Sequence, residues 1–143
     1  MELDEVKARG TALSPWAHIA TVGADGKPDV VPVHPCWEGD VLWLMAGPNS
    51  VKTRNIASNA NVALHWQVEA KGDGLEVWGT ASVHADLDTK RRLWSGVFDY
   101  DLTAFAPGGP DNSPDTVFIA VKPERALWLD TYGMGGTDRW AAT

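Results

Sequence analysis

Short apolar runs separated by glycine- and aspartate-rich turns constrain this chain more than any other feature. Gly23-Ala24-Asp25-Gly26, Glu38-Gly39-Asp40 and Lys71-Gly72-Asp73-Gly74 each interrupt a β-rich run. Asp-Gly pairs tolerate the positive φ angles that tight hairpins require. Strands are predicted at residues 16–22, 27–34, 41–46, 61–69, 75–85, 116–121 and 125–131. Three short helices are predicted between or before them: residues 1–9, ended by Gly10; a helix capped by Asn49 or Ser50 and running to about residue 58; and residues 87–98, capped by Asp86. Residues 105–115 hold too much proline and glycine for regular structure and read as a loop. Hairpins linked by short helices argue for a mainly β, antiparallel sheet closed into a barrel rather than a parallel Rossmann sheet.

Local patterns add detail. Residues 41–46 are apolar without alternation, as in a strand covered on both faces, so a second layer must lie on it. In the middle helix Val51, Ile56 and Ala57 are available for a buried side, and in the last one Leu87, Leu93, Trp94, Val97 and Phe98 approximate one stripe. Pro32 and Pro35 interrupt the second strand or its exit; proline cannot donate to a ladder, so this strand has a bulge or turns its free side to an edge or a ligand. Eight tryptophans are spread over almost every element, and most should fill a core or an interface.

Composition excludes whole function classes. At 143 residues the chain suits one domain spanning 1–143. Its net charge of −7 repels nucleic-acid backbones and anionic lipid surfaces. One cysteine, Cys36, rules out an intrachain disulfide and a thiolate zinc cluster, and suits a reducing cytoplasm. Residues 1–10 are charged, with no apolar core of a leader, and no apolar run approaches the roughly 18 residues of a membrane helix. His18, His34, His65 and His84 stand on separate elements without ligand spacing, so no metal is assigned. Cys36 beside Trp37 reads as a buried, inert thiol, and the carboxylates of Asp99, Asp101, Asp111 and Asp115 read as solvated.

One stretch carries chemistry. Within residues 41–68 the only charged side chains are Lys52 and Arg54, a basic island in an acidic chain. With the Ser50 hydroxyl and the free amides of a helix start they suit a phosphate. The extended, proline-interrupted run Val30-Val31-Pro32-Val33 and the small exit Ala46-Gly47 suit a flat ring; flavin mononucleotide (FMN) has that combined shape.

The runs A-T-V-x-x-D-G-x-P-x-V-V-P-V, W-x-G-D-x-L-W-L and S-x-K-x-R-N resemble the FMN-binding split-barrel superfamily related to pyridoxamine 5′-phosphate oxidase. Residues 86–111, with K-R-R-L-W and F-A-P-G-G-P-D, look most like its general stress protein branch, and Arg139-Trp140 is similar to the tail of flavin/deazaflavin oxidoreductases. The resemblance implies a six-stranded split barrel and a homodimer with two cofactor sites at the interface. By position it implies that Val30, Val31, Pro32 and Val33 meet the isoalloxazine ring, and that Ala46, Ser50 and Lys52, with Arg54 and Asn55, approach the ribityl and phosphate. Gly79 would admit the partner's ring edge, Trp78, Arg139 and Trp140 would close the site, and His34 would touch substrate.

The chain departs from the vitamin-B6 pattern. It has Asp29 or Val30 where those oxidases have an arginine, His34-Pro35 where they have a lysine, and Val51 in place of an arginine in the phosphate grip. The implied activity is therefore hydride transfer to a small planar or quinone-like substrate, not pyridoxamine phosphate oxidation. A deazaflavin coenzyme is the alternative to FMN. A non-catalytic flavin, deazaflavin or haem carrier, or a stress-related redox protein, is the alternative to an enzyme.

Overall fold

The computed structural model describes residues 1–66 and 70–143. Its elements are α1 (Leu3–Leu13), β1 (Ala17–Val22), β2 (Pro28–Val33), β3 (Cys36–Glu38), β4 (Val41–Ala46), α2 (Val51–Ser58), β5 (Asn61–Trp66), β6 (Gly74–His84), α3 (Leu87–Trp94), β7 (Val117–Leu129) and β8 (Thr137–Ala141). All strand pairings are antiparallel, in the order β2-β1-β5-β6-β7-β4-β3, with β8 added to β7. The mainly β, antiparallel class is as expected. Among the described residues eight strands are present rather than six, because Cys36–Glu38 and Thr137–Ala141 pair as short strands. The last three positions of the strand expected at 61–69 lie outside the described residues.

β7 is one long strand where the sequence suggests two. Pro123 within it pairs with Gly79 and Arg125 with Trp78, so Glu124 is the extra residue of a β-bulge in β7, opposite the Trp78–Gly79 step of β6. The other edge of β7 changes partner on either side of this proline, from β4 at 117–121 to β8 at 125–129. A strand that hands over partners at the proline loses little by lacking one donor.

Two apolar layers meet on β4. Leu42, Leu44 and Ala46 enter the main core with Ile19, Leu64, Leu75, Val77, Ile119 and Val121. Trp43 points the other way, into a second cluster with Cys36, Leu93, Phe98, Leu102 and Phe118. α3 and the segment after it are the cover that the non-alternating strand demanded.

Several local expectations are corrected. α1 does not stop at Gly10 but runs to Leu13. Gly10 is there for packing: a Cβ would lie 3.0 Å from Trp66 and 3.2 Å from Leu75. α3 ends at Trp94 rather than Phe98, because Gly96 takes a φ of +96°. Leu87 is exposed, so its place in the apolar stripe is lost. On α2, Thr53 and Ile56 face the sheet, while Val51 and Ala57 are exposed. The caps at Ser50 and Asp86 are as expected, each accepting from the backbone N–H three residues on.

The bulge also explains Gly79. A Cβ there would collide with the carbonyl oxygen of Lys122 and lie 2.9 Å from Val121 Cγ1, so the need for glycine is internal to the chain. Gly79→Ala is expected to lower unfolding stability by about 1–3 kcal/mol, whereas Gly47→Ala, with nothing within 4 Å of the added Cβ, stays within about 0.5 kcal/mol of the parent. Urea denaturation of both variants measures the contrast; equal midpoints would refute the assignment.

Candidate functional site

β2 is an edge strand: among the described residues it pairs with β1 alone. The turn sets which of its backbone groups are free. Gly23 N–H donates to Lys27 O at 2.9 Å, and hydrogen-bonded pairs then recur at every second position of an antiparallel ladder. With Thr21↔Asp29, Ile19↔Val31 and Ala17↔Val33 as those pairs, Pro28, Val30 and Pro32 turn their backbone groups outward. Both prolines thus lie where a missing N–H costs the sheet nothing. The outward edge offers the Val30 N–H and the Val30 and Pro32 carbonyls, a donor and acceptors in line. The side chains complement this: Val30 is 62% exposed, whereas Val33 is buried in the core.

α2 brings the basic island toward this strand. Lys52 is half-buried, and burial lowers its pKa, partly offset by the Asp29 carboxylate on β2. A desolvated cation beside the strand edge is favourable to an incoming anion. The Ser50 hydroxyl is already engaged: it donates to Gly47 O at 3.1 Å and lies 2.8 Å from Thr53 Oγ1. Its role here is to fix the start of α2, and a phosphate would have to share it.

The remaining candidates divide. Arg54 is exposed and, two residues from Lys52, projects from nearly the opposite side of the helix. Asn55 spends its amide on Thr21 Oγ1 at 3.0 Å, tying α2 to β1. Ala46 is buried in the core, so only its backbone could meet a ligand. The Trp78 ring is covered by the Arg125 guanidinium at 4.0 Å. Arg139 and Trp140 line a shallow cavity of about 480 Å³ with Met1, Lys122, Pro123 and Thr143. Of residues 30–55 only Asp40 reaches that cavity, so one chain does not bring the tail to the β2 edge.

His34, one residue past β2, belongs to a group that the sequence did not reveal. Its ring lies on Tyr100, with centroids 4.3 Å apart, and edge-on to Trp16 at 6.4 Å. Its Nε2 is 2.7 Å from Asp99 Oδ1 but misaligned for a hydrogen bond, and this buried nitrogen has no other partner among the described residues. Cys36 Sγ donates to the same Asp99 oxygen at 3.4 Å. Burial pushes the Cys36 thiol up to about 11 and the Tyr100 phenol up to about 12, so both are protonated near neutral pH. Cys36 is buried, as expected, but Asp99 is not a merely solvated loop carboxylate. Sixty-three residues separate Cys36 from Asp99, and no local pattern reports such a pairing.

This architecture has known counterparts. The family model for pyridoxamine 5′-phosphate oxidase matches residues 4–129. A protein related to general stress protein 26, of the pyridoxinephosphate oxidase family, from Clostridium acetobutylicum superposes with a TM-score of 0.78 at 17% identity, over 99% of this chain and 96% of its own. An F420 reductase superposes with a TM-score of 0.59 at 29% identity, over 80% and 90% of the two chains. A pyridoxamine 5′-phosphate oxidase-related, FMN binding protein from Nostoc punctiforme gives a TM-score of 0.63 at 13% identity, over 99% and 94%. No curated protein matches the chain in sequence. With a family model matched across most of its length and the strand order described above, the chain belongs to the pyridoxamine 5′-phosphate oxidase-related family of split β-barrels.

Proposed function

We propose that the protein is a flavin-type oxidoreductase that holds FMN, or alternatively a deazaflavin coenzyme, along the β2 edge. The observation that carries this reading is the outward line of Val30 and Pro32 backbone groups beside the desolvated Lys52. A flat heteroaromatic ring with alternating donors and acceptors fits such an edge, and its phosphate tail fits a half-buried cation at a helix start. The 29% identical F420 reductase is the reason to keep deazaflavin in view.

In this reading the outward backbone groups of Val30 and Pro32 meet the ring, Val31 and Val33 hold the strand to β1 beneath it, and Lys52, with Ser50 and the Ala46 backbone, holds the ribityl-phosphate end. The bound group supplies hydride chemistry. The chain's own part is to bind it, orient one face toward a small planar or quinone-like substrate and keep water from the other. His34, at the end of β2, marks the substrate side. No side chain is required as an obligatory acid or base. A homodimer completes the site in this reading, with Arg139, Trp140 and Trp78 acting from the partner; for Arg139 and Trp140 the separation of the tail cavity from β2 within one chain supports it. A cytoplasmic setting accords with the free Cys36, and among the described residues no helix is long and apolar enough to cross a membrane.

Lys52→Ala is expected to weaken cofactor binding at least tenfold, about 1.4 kcal/mol, and Arg54→Ala far less, measured by fluorescence titration with FMN and with a deazaflavin in parallel. Unchanged affinity in Lys52→Ala would remove the phosphate assignment.

The same site has a pH signature. Lys52 has its pKa lowered below 10.5 in the free protein, so the cation is present below that depressed value and lost above it. Affinity should therefore begin to fall at a lower pH than an ordinary lysine would dictate, and Lys52→Ala should abolish that limb.

Enzyme and carrier are separated by turnover. Oxidation of the reduced cofactor with a panel of quinone acceptors should exceed the protein-free rate; equality across the panel would leave only a binding protein. Sedimentation should show a dimer carrying two cofactors, and a monomer with full affinity would sink the shared-site reading.

A further inference from the structure

We infer that His34, Cys36 and Asp99 form a binding site for a borderline-soft divalent cation, with Zn²⁺ the best match to the donor set, just past the end of β2. The three residues come from two places: His34 and Cys36 flank Pro35 between β2 and β3, and Asp99 arrives on the segment after α3. Their ligand atoms, one imidazole nitrogen, one thiol sulfur and one carboxylate oxygen, all lie within 4.8 Å of one another.

One contact within this group does not explain itself as an ordinary hydrogen bond. His34 Nε2 is buried, lies 2.7 Å from Asp99 Oδ1 and still makes no aligned bond. Leaving a buried polar atom unsatisfied is costly, and a cation between the two groups would satisfy both lone pairs. Zinc bonds of about 2.0–2.3 Å imply tetrahedral ligand separations of roughly 3.3–3.6 Å. The Cys36 Sγ to Asp99 Oδ1 distance of 3.4 Å already meets that. The shorter nitrogen–oxygen approach needs Asp99 to swing outward, and its side chain, 68% exposed, is free to do so.

The donor set selects the ion. Thiolate and imidazole disfavour magnesium and calcium, which take oxygen ligands. Three protein ligands with a solvent-facing carboxylate leave a fourth position for water or a substrate oxygen, as in zinc sites that do chemistry rather than hold a fold. On binding, the Cys36 proton is released and the thiolate becomes a ligand, which gives this buried, otherwise unreactive thiol a role. The site stands whichever cofactor β2 holds. It would also give His34 its part at the substrate side, through a cation rather than by direct contact.

The chain's single cysteine makes the test self-assigning. Co²⁺ titrated into the full chain under reducing, chelator-free conditions should produce an intense thiolate-to-metal charge-transfer band, which only Cys36 can supply, and stoichiometric Zn²⁺ should bleach it. Cys36→Ser should abolish the band. His34→Gln and Asp99→Asn should each raise the Co²⁺ dissociation constant at least tenfold, while Asp88→Asn, on the exposed first turn of α3, leaves it unchanged. Absence of the band in the parent protein overturns the proposal even if a variant fails to fold. So does a band whose affinity is indifferent to both His34→Gln and Asp99→Asn.

Discussion

The ladder between β6 and β7 holds the structure together. It runs from Gly74↔Leu129 to His84↔Phe118, and each of its two strands carries further strands on its outer edge. β5, β1 and β2 build outward from β6, while β4, β3 and β8 build from β7. An antiparallel pairing this long is maintained through one irregularity, the bulge at Glu124 beside Pro123, where an extra residue bends and twists β7. The lack of a side chain on Gly79 lets the two backbones approach there. Because β7 changes its outer partner at the same place, the bulge joins two sheet segments that would otherwise pull the strand in different directions.

The edges that this arrangement leaves are handled differently. β3 is only three residues long, a common way of blunting an edge. β2 is longer and carries two prolines on the outward parity, which removes two donors from the exposed side and discourages another chain from adding as a strand. The Val30 N–H and the carbonyls remain, so the edge is poor for sheet extension but well suited to a small ligand with mixed donors and acceptors.

Electrostatics point to the same place. The chain is acidic overall, and the cations of its surface pairs, such as Arg91 with Asp111 and Arg92 with Glu38, are spent on carboxylates at 2.9 and 3.0 Å. Such exposed pairs contribute little stability. Lys52 differs in being desolvated beside Asp29 without closing an ion pair to it, leaving charge that an anion can use. Past the end of β2, beside the second core, His34, Cys36 and Asp99 come together, with the Tyr100 ring against His34. The two proposed sites, of different chemistry, therefore adjoin one strand.

What sequence alone determined is what local physics controls. The hairpin turns follow from Asp-Gly and Gly-Asp pairs, the starts of α2 and α3 from side chains that cap their own backbone, and the need for a second layer on β4 from a run without alternation. The proposed ring strand and Lys52 grip rest on one continuous stretch, 29–55, whose proline parity and charge can be read in order. Tertiary structure decided the rest. Gly10 looked like a helix stop and is a contact with Trp66, 56 residues on, and the close approach of Gly79 to Lys122 shows only in the fold. The strand β8 exists only because the second half of β7 has an open edge to offer it. Asp99 acquires meaning only when α3 folds over β4 and carries it to Cys36 and His34. Each of these depends on a neighbour far away in the chain, and periodicity, propensity and turn chemistry report only on neighbours close by.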